Sequence, residues 1–185
     1  MRITGGEFGG RVLKAPKTDL IRPTQDRVRE AVFNIIQFDL PGKDFLDLFA
    51  GSGAVGIEAL SRGAKSVTFI EQERRHLTVL KENLQTLKCL DRAEVIPADV
   101  YAYIERYDGV GFDIVFADPP YALGEEKGYA SVLAVAAKNA LVRPGGLFIA
   151  EMTAVQHAEE TPGWELYRDR TYGKTRVCLW RRVNI

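Results

Sequence analysis

FLDLFAGSGAVGIEALSR, residues 45–62, decides the fold. A short apolar run, Phe45–Phe49, ends at a glycine-rich loop. A helical period then begins with AVGIEALSR. A buried strand running through a tight glycine turn into a helix is the opening half of a strand–helix–strand unit. The pattern recurs downstream. SVTFIE (66–71) precedes a helix with Leu77, Leu80, Leu84 and Leu87. AEVIP (93–97) precedes a short helix after Asp99, and FDIVFA (112–117) precedes one carrying Val132, Leu133, Ala136, Ala137, Ala140 and Leu141. GLFIAE (146–151) closes the series. Such alternation predicts an α/β domain with parallel strands, right-handed crossovers and helices on both faces.

The two ends differ. WELYRDRTY (164–172) and TRVCLWRR (175–182) flank Gly173-Lys174, a two-residue turn, which predicts an antiparallel C-terminal hairpin. Five parallel strands plus this hairpin make a mostly parallel seven-stranded sheet. RIT-GGEFGG-RVL (2–13) reads as a small hairpin. Val28, Ala31, Val32, Ile35 and Ile36 mark a helix within 25–38, with a start signal at Pro23-Thr24. The expected organisation is an N-terminal hairpin and helix extension, 1–40, followed by the main domain, 41–185.

The chain has 185 residues, 46% of them hydrophobic, with 25 basic and 25 acidic side chains. That balance argues against a strongly electrostatic nucleic-acid binder. Charge is uneven, however. Residues 1–30 hold seven bases and four acids, and YGKTRVCLWRR (172–182) adds Lys174, Arg176, Arg181 and Arg182 without an acid. These two segments are the candidates for gripping phosphate. No apolar stretch approaches the ~20 residues of a membrane helix, and MRITGGEFGG lacks the apolar segment of a secretory signal. Cys89 and Cys178 have no metal-type spacing and read as reduced thiols in a cytoplasmic protein. His76 and His157 stand alone on helical stretches, so no metal site is expected.

In a sheet of this class ligands bind beyond the carboxyl ends of the strands. The loop DLFAGSGAVG (47–56) lies there. Gly51 and Gly53 let the backbone turn and approach a ligand, and the helix start offers free N–H groups. Gly51, Gly53 and Gly56 match the dinucleotide spacing, and Glu71, 20 residues after Gly51, is placed to hold ribose hydroxyls. The loop and acid point to a nucleoside cofactor without saying which. Asp99 is either an acceptor for an adenine amino group or a helix cap. Asp47, inside a buried strand, needs a partner in the loop or on the ligand.

FADPPYALG (116–124) sits at the same sheet end. Methyl transfer from S-adenosylmethionine to an exocyclic amino group of a base would use such a sequence. The attacked nitrogen gains positive charge, so the site must present oxygens to its hydrogens. The Asp118 carboxylate and the Pro119 carbonyl do so, stabilising charge as it develops. The prolines fix the backbone and remove donors, and the Tyr121 ring stacks on the base.

RPTQDRVREAVFNI (22–35), DLFAGSGAVGIEALSRGA (47–64), FADPPY (116–121) and YGKTRVCLWRR (172–182) together resemble the ribosomal RNA small-subunit methyltransferase D family, within the Rossmann-like class I methyltransferases. The resemblance spans nearly the whole chain. It implies transfer to N2 of one guanine in 16S ribosomal RNA, on a small subunit or its assembly intermediate, by a cytoplasmic monomer free of membranes. It assigns Asp118, Pro119 and Tyr121 to catalysis. Gly51, Ser52 and Gly53 fall to the methionine moiety, Glu71 to the ribose, and Asp99 with Val100 to the adenine edge. Asp47, Phe49 and Gln72 complete the cofactor set. Thr24, Arg27, Lys174 and Arg176 are the candidates for substrate contact. The rival readings are a nicotinamide-dependent oxidoreductase, a DNA adenine-N6 methyltransferase and a non-catalytic RNA-binding module.

Overall fold

A computed structural model describes residues 1–16, 23–119, 121–158 and 160–183, with the side chains of 23–25 and 121–128 outside the description. Its seven strands belong to one mixed, mostly parallel sheet. The chain divides into two compact units, Met1–Asp99 and Val100–Ile185.

The first unit runs α1 (Pro23–Ile35), β1 (Asp44–Leu48), α2 (Ala54–Ser61), β2 (Ser66–Glu71), α3 (Arg74–Leu87), a 3-10 turn (Leu90–Arg92) and β3 (Ala93–Pro97). Its strands are parallel and ordered β3-β2-β1. β1 and β2 are buried along nearly their whole length, as parallel strands covered on both faces must be. β3 carries exposed Glu94 and Pro97, which suits a sheet edge. On α3 the apolar stripe Leu80, Leu84 and Leu87 is buried as the spacing predicts, and the helix stops where Lys88 turns left-handed at φ 56.

The N-terminal segment is sewn onto α2. Residues 2–13 do turn back on themselves, with Arg2 bridging Val12 antiparallel, and Ile3, Phe8 and Leu13 enter the core. The anchor is Glu58, fully buried in α2. Its Oε1 accepts from Thr4 Oγ1 at 2.6 Å and Arg62 Nε at 2.8 Å; its Oε2 accepts from Thr4 N at 2.9 Å and Arg29 Nε at 3.3 Å. Arg29, itself buried, also donates to the Arg2 carbonyl. Burial alone would push the Glu58 carboxyl up. The hydrogen bonds from Thr4 and Arg62 and the charge of Arg29 outweigh it, holding the group below the usual carboxylate range.

The second unit runs α4 (Val100–Arg106), β4 (Phe112–Ala117), α5 (Tyr121–Lys138), β5 (Val142–Thr153), β6 (Trp164–Tyr172) and β7 (Thr175–Arg182). Its strand order is β4-β5-β7-β6. β4 and β5 are parallel, and β7 pairs antiparallel with both β5 and β6. The hairpin turns at Gly173-Lys174 as the sequence predicts, with Gly173 at φ 61. Trp180, Phe148, Trp164 and Tyr129 form the aromatic centre of this unit. Arg168 and Arg170 charge the β6 edge, which discourages pairing with another chain. Cys89 and Cys178 are both free and buried, and burial pushes the Cys178 thiol up to about 12. Among the described residues no helix is long and apolar enough to cross a membrane.

Glu58→Gln should cost about 3 kcal/mol in urea unfolding, because it leaves Arg29 buried with a weakened partner. The wild-type advantage is present above the ordinary carboxylate value of about 4.3. It should fade as pH falls through the lower folded value.

Candidate functional site

In the first unit, three residues of the loop after β1 adopt left-handed conformations: Phe49 at φ 60, Gly51 at φ 56 and Gly53 at φ 87. For glycine this is free; for Phe49 it is strain of the kind that clusters at functional turns. Carboxylates hold the turn in place. Glu71, at the tip of β2, accepts from Gly51 N at 2.7 Å through Oε2 and from Glu73 N at 2.8 Å through Oε1. Asp47 Oδ2 accepts from Gly56 N at 2.8 Å, meeting a donor at the open start of α2. The Asn83 amide donates to the Ser52 carbonyl at 3.0 Å and also grips Lys14, its Oδ1 accepting from the backbone N–H at 2.9 Å. Sequence reasoning missed Asn83. Its signal was a polar residue among the leucines of the α3 stripe.

The glycines divide the labour. A Cβ on Gly51 would meet nothing within 4 Å, so the loop backbone borders open space there. A Cβ on Gly53 would come within 2.2 Å of Leu80 Cδ1, and one on Gly56 within 2.2 Å of Phe69 Cε1. Gly53 and Gly56 therefore seat the loop and α2 against their neighbours, while Gly51 leaves an approach. A buried carboxylate beside that approach fits hydroxyl groups such as those of a ribose. Glu71 braces the loop, a task the sequence did not announce. Gln72 is exposed after it, Asp99 is exposed after β3, and Val100 is buried at the start of α4. His76 Nδ1 lies 3.6 Å from Glu71 Oε2. Among the described residues no cluster could hold a metal ion.

In the second unit, Asp118 and Pro119 follow the last residue of β4. They line an open pocket of about 280 Å³, adjoining solvent included, together with Tyr129, Glu151, Met152, Thr153 and Gln156. The Tyr129 hydroxyl donates to the Glu151 carbonyl at 2.7 Å and lies 3.5 Å from the Ala117 carbonyl, so it ties the tips of β4 and β5. Its ring packs against Phe148 and Trp180. Burial first, then the charges of Asp118 and Glu151, push the phenol far up, so it stays a donor. The Asp118 side chain reaches solvent, but the protein around it hinders hydration of the charged form and pushes the carboxyl up to about 6. Tyr129 and Glu151 were not singled out from sequence. Glu151 could have been, since it ends GLFIAE as Asp118 ends the run before it.

The remaining candidates fare differently. The side chains of Thr24 and Tyr121 lie outside the described residues, although the backbones of both are helical. Arg27 is exposed on α1, and Lys174 is exposed at the hairpin turn. Arg176 instead turns onto the sheet: Nε donates to Asp169 Oδ1 at 2.8 Å, Nη2 to Oδ2 at 2.5 Å, and Nη1 to the Gln156 carbonyl at 2.6 Å.

This strand order, with its glycine loop and antiparallel C-terminal strands, defines a class I methyltransferase fold. The structure of the Escherichia coli protein yhhF superposes with a TM-score of 0.88 at 34% identity, covering 99% of this chain and 98% of that one. More distantly, at 18% identity, SMU.776, solved in complex with SAH, shares the fold over 87% of this chain and 50% of its own, with a TM-score of 0.70. Ribosomal RNA small subunit methyltransferase D of Haemophilus influenzae is 37% identical over 183 residues, 98% of this chain and 93% of its own. The family model described as conserved hypothetical protein 95 matches residues 1–181. The chain belongs to this family, that of ribosomal RNA small subunit methyltransferase D.

Gly53→Ala should lower the midpoint of thermal unfolding by several degrees, because a left-handed alanine costs about 1–2 kcal/mol and its methyl strikes Leu80. Gly51→Ala carries only the first of these costs. A scanning-calorimetry comparison should rank the two variants in that order.

Proposed function

We propose that the protein transfers a methyl group from S-adenosylmethionine to the exocyclic N2 of a guanine in small-subunit ribosomal RNA. The observation that carries this reading is the Asp118–Pro119 strand tip, placed in an open pocket, in a chain whose family membership covers its length. Membership speaks for methyl rather than hydride transfer, and for RNA rather than DNA.

S-adenosylmethionine, when bound, supplies an electrophilic methyl on its sulfonium. The residues that would hold it are Phe49, Gly51, Ser52 and Gly53 along the loop, with Glu71 and Gln72 on the ribose side and Asp99 with Val100 towards the adenine. Asp47 acts through the loop, by its hold on the Gly56 amide. At the acceptor, the Asp118 carboxylate and the Pro119 carbonyl take hydrogen bonds from the amino group. They stabilise the positive charge that builds on nitrogen, and Asp118 can receive the proton that leaves. Tyr121 is assigned the stacking role from its place in the motif. A guanine must leave its stack to enter such a pocket. Arg27, on α1 with Thr24, and Lys174, at the hairpin turn, are the basic contacts for RNA phosphates. The guanidinium of Arg176 stiffens the hairpin that carries Lys174. The small subunit or an assembly intermediate of it is the partner, and a cytoplasmic monomer is the working form.

The test uses the full chain, tritiated S-adenosylmethionine and small subunits from cells lacking the protein. Asp118→Ala should lower kcat by at least about 10²–10³-fold. In the wild type, kcat/KM should fall about tenfold per pH unit below about 6, because the raised carboxyl takes up its proton there. Wild-type turnover by Asp118→Ala would contradict the assignment, and so would a flat profile between pH 5 and 7.

A further inference from the structure

Glu151 lines the same pocket as Asp118, and the relation between them follows from strand register. In the parallel pair β4–β5, Ala117 faces Ala150. Asp118, one residue past the end of β4, and Glu151, within β5, are the next positions along each chain and continue that register. Registered neighbours in a parallel sheet sit about 4.8 Å apart and direct their side chains to the same face. Two further observations agree. Glu151 is half-buried between buried Ala150 and Met152, so it alternates away from both. Both acids also bear electrostatically on one phenol, that of Tyr129. The Tyr129 hydroxyl in turn holds the Glu151 backbone at 2.7 Å, which fixes where this side chain starts.

Methyl transfer to an amino nitrogen needs acceptors at that nitrogen only. A second carboxylate beside it does a different task. The Watson–Crick edge of guanine presents two neighbouring donors, N1–H and the N2 amino group. The edge of adenine presents an amino donor beside the bare lone pair of N1. A carboxylate accepts from the first arrangement and is repelled by the second.

We propose that Glu151 selects the base: its carboxylate accepts the N1–H of guanine while Asp118 accepts from the N2 amino group. This rests on the function proposed above and names the residue that makes guanine the preferred acceptor. Discrimination through a missing hydrogen-bond partner is the strong kind, because the mismatched base leaves a desolvated charge facing a lone pair.

The experiment compares reconstituted small subunits carrying either guanine or 2,6-diaminopurine at the methylated position. The analogue keeps the N2 amino group but has an acceptor at N1. Wild-type full-length protein should prefer guanine by at least tenfold in kcat/KM. Glu151→Gln, whose carboxamide can donate to N1, should lose at least tenfold on guanine and shrink the preference at least tenfold. Its affinity for S-adenosylhomocysteine should be unchanged. Glu151→Asp keeps an acceptor and should retain the preference at a reduced rate. An undiminished preference in Glu151→Gln overturns the assignment. Loss of preference in Glu151→Asp does so too. So does abolished transfer to both bases in a folded Glu151→Gln, which would make the residue necessary for transfer rather than for choice. A wild type inactive on guanine subunits would instead defeat the function on which the assignment rests.

Discussion

The Glu71 carboxylate, accepting from the amides of Gly51 and Glu73, is the contact on which the first unit's chemistry depends. A strand that ends in a left-handed turn leaves backbone donors without the regular ladder to satisfy them. Here an acid at the tip of the neighbouring strand supplies the acceptor. Asp47 repeats the device one strand over, at the opening of α2. With the amides held, the loop can keep Phe49, Gly51 and Gly53 at positive φ and still offer open space at Gly51. A loop anchored at both ends is preorganised for a ligand, so less ordering is left for binding to drive.

The second unit applies the same logic with a different outcome. Asp118 sits just past the end of β4 and Glu151 near the end of β5, and both border a pocket. Tyr129 does the bracing, its ring packed against Phe148 and Trp180 and its hydroxyl on the Glu151 carbonyl. In the first unit acids hold the backbone; in the second, acids line a pocket. Protein around Asp118 raises its proton affinity towards neutrality, which would suit the proton acceptor proposed above.

Much of this was legible in the sequence. The strand runs and the leucine stripe of α3 read directly because buried parallel strands and amphipathic helices leave strong periodic signals. Gly173-Lys174 announced the hairpin for a similar local reason. Asp47, inside a buried strand, and Glu71 and Asp118, at the ends of apolar runs, stood out because such acids are costly without a purpose. What did not show was pairing across distance. Nothing in AVGIEALSR says that Glu58 binds Thr4, Arg29 and Arg62 at once. Nothing in TRVCLWRR says that Arg176 would prefer Asp169 to solvent. The Asp118–Glu151 neighbourhood likewise required the β4–β5 register, which no local pattern encodes. Long-range partners decide whether a charged residue is a brace or a contact, and they lie outside the reach of spacing.

The central claim is that acceptor oxygens at the β4 tip direct a methyl group onto the amino nitrogen of a guanine. The measurement that meets it most directly is nucleoside mass spectrometry of ribosomal RNA. Small subunits from cells lacking the protein would be incubated with it and isotopically labelled S-adenosylmethionine, then digested. The account predicts the label in N2-methylguanosine of the small-subunit RNA. Label in N6-methyladenosine, in a ring-nitrogen product, or in no nucleoside at all would contradict it.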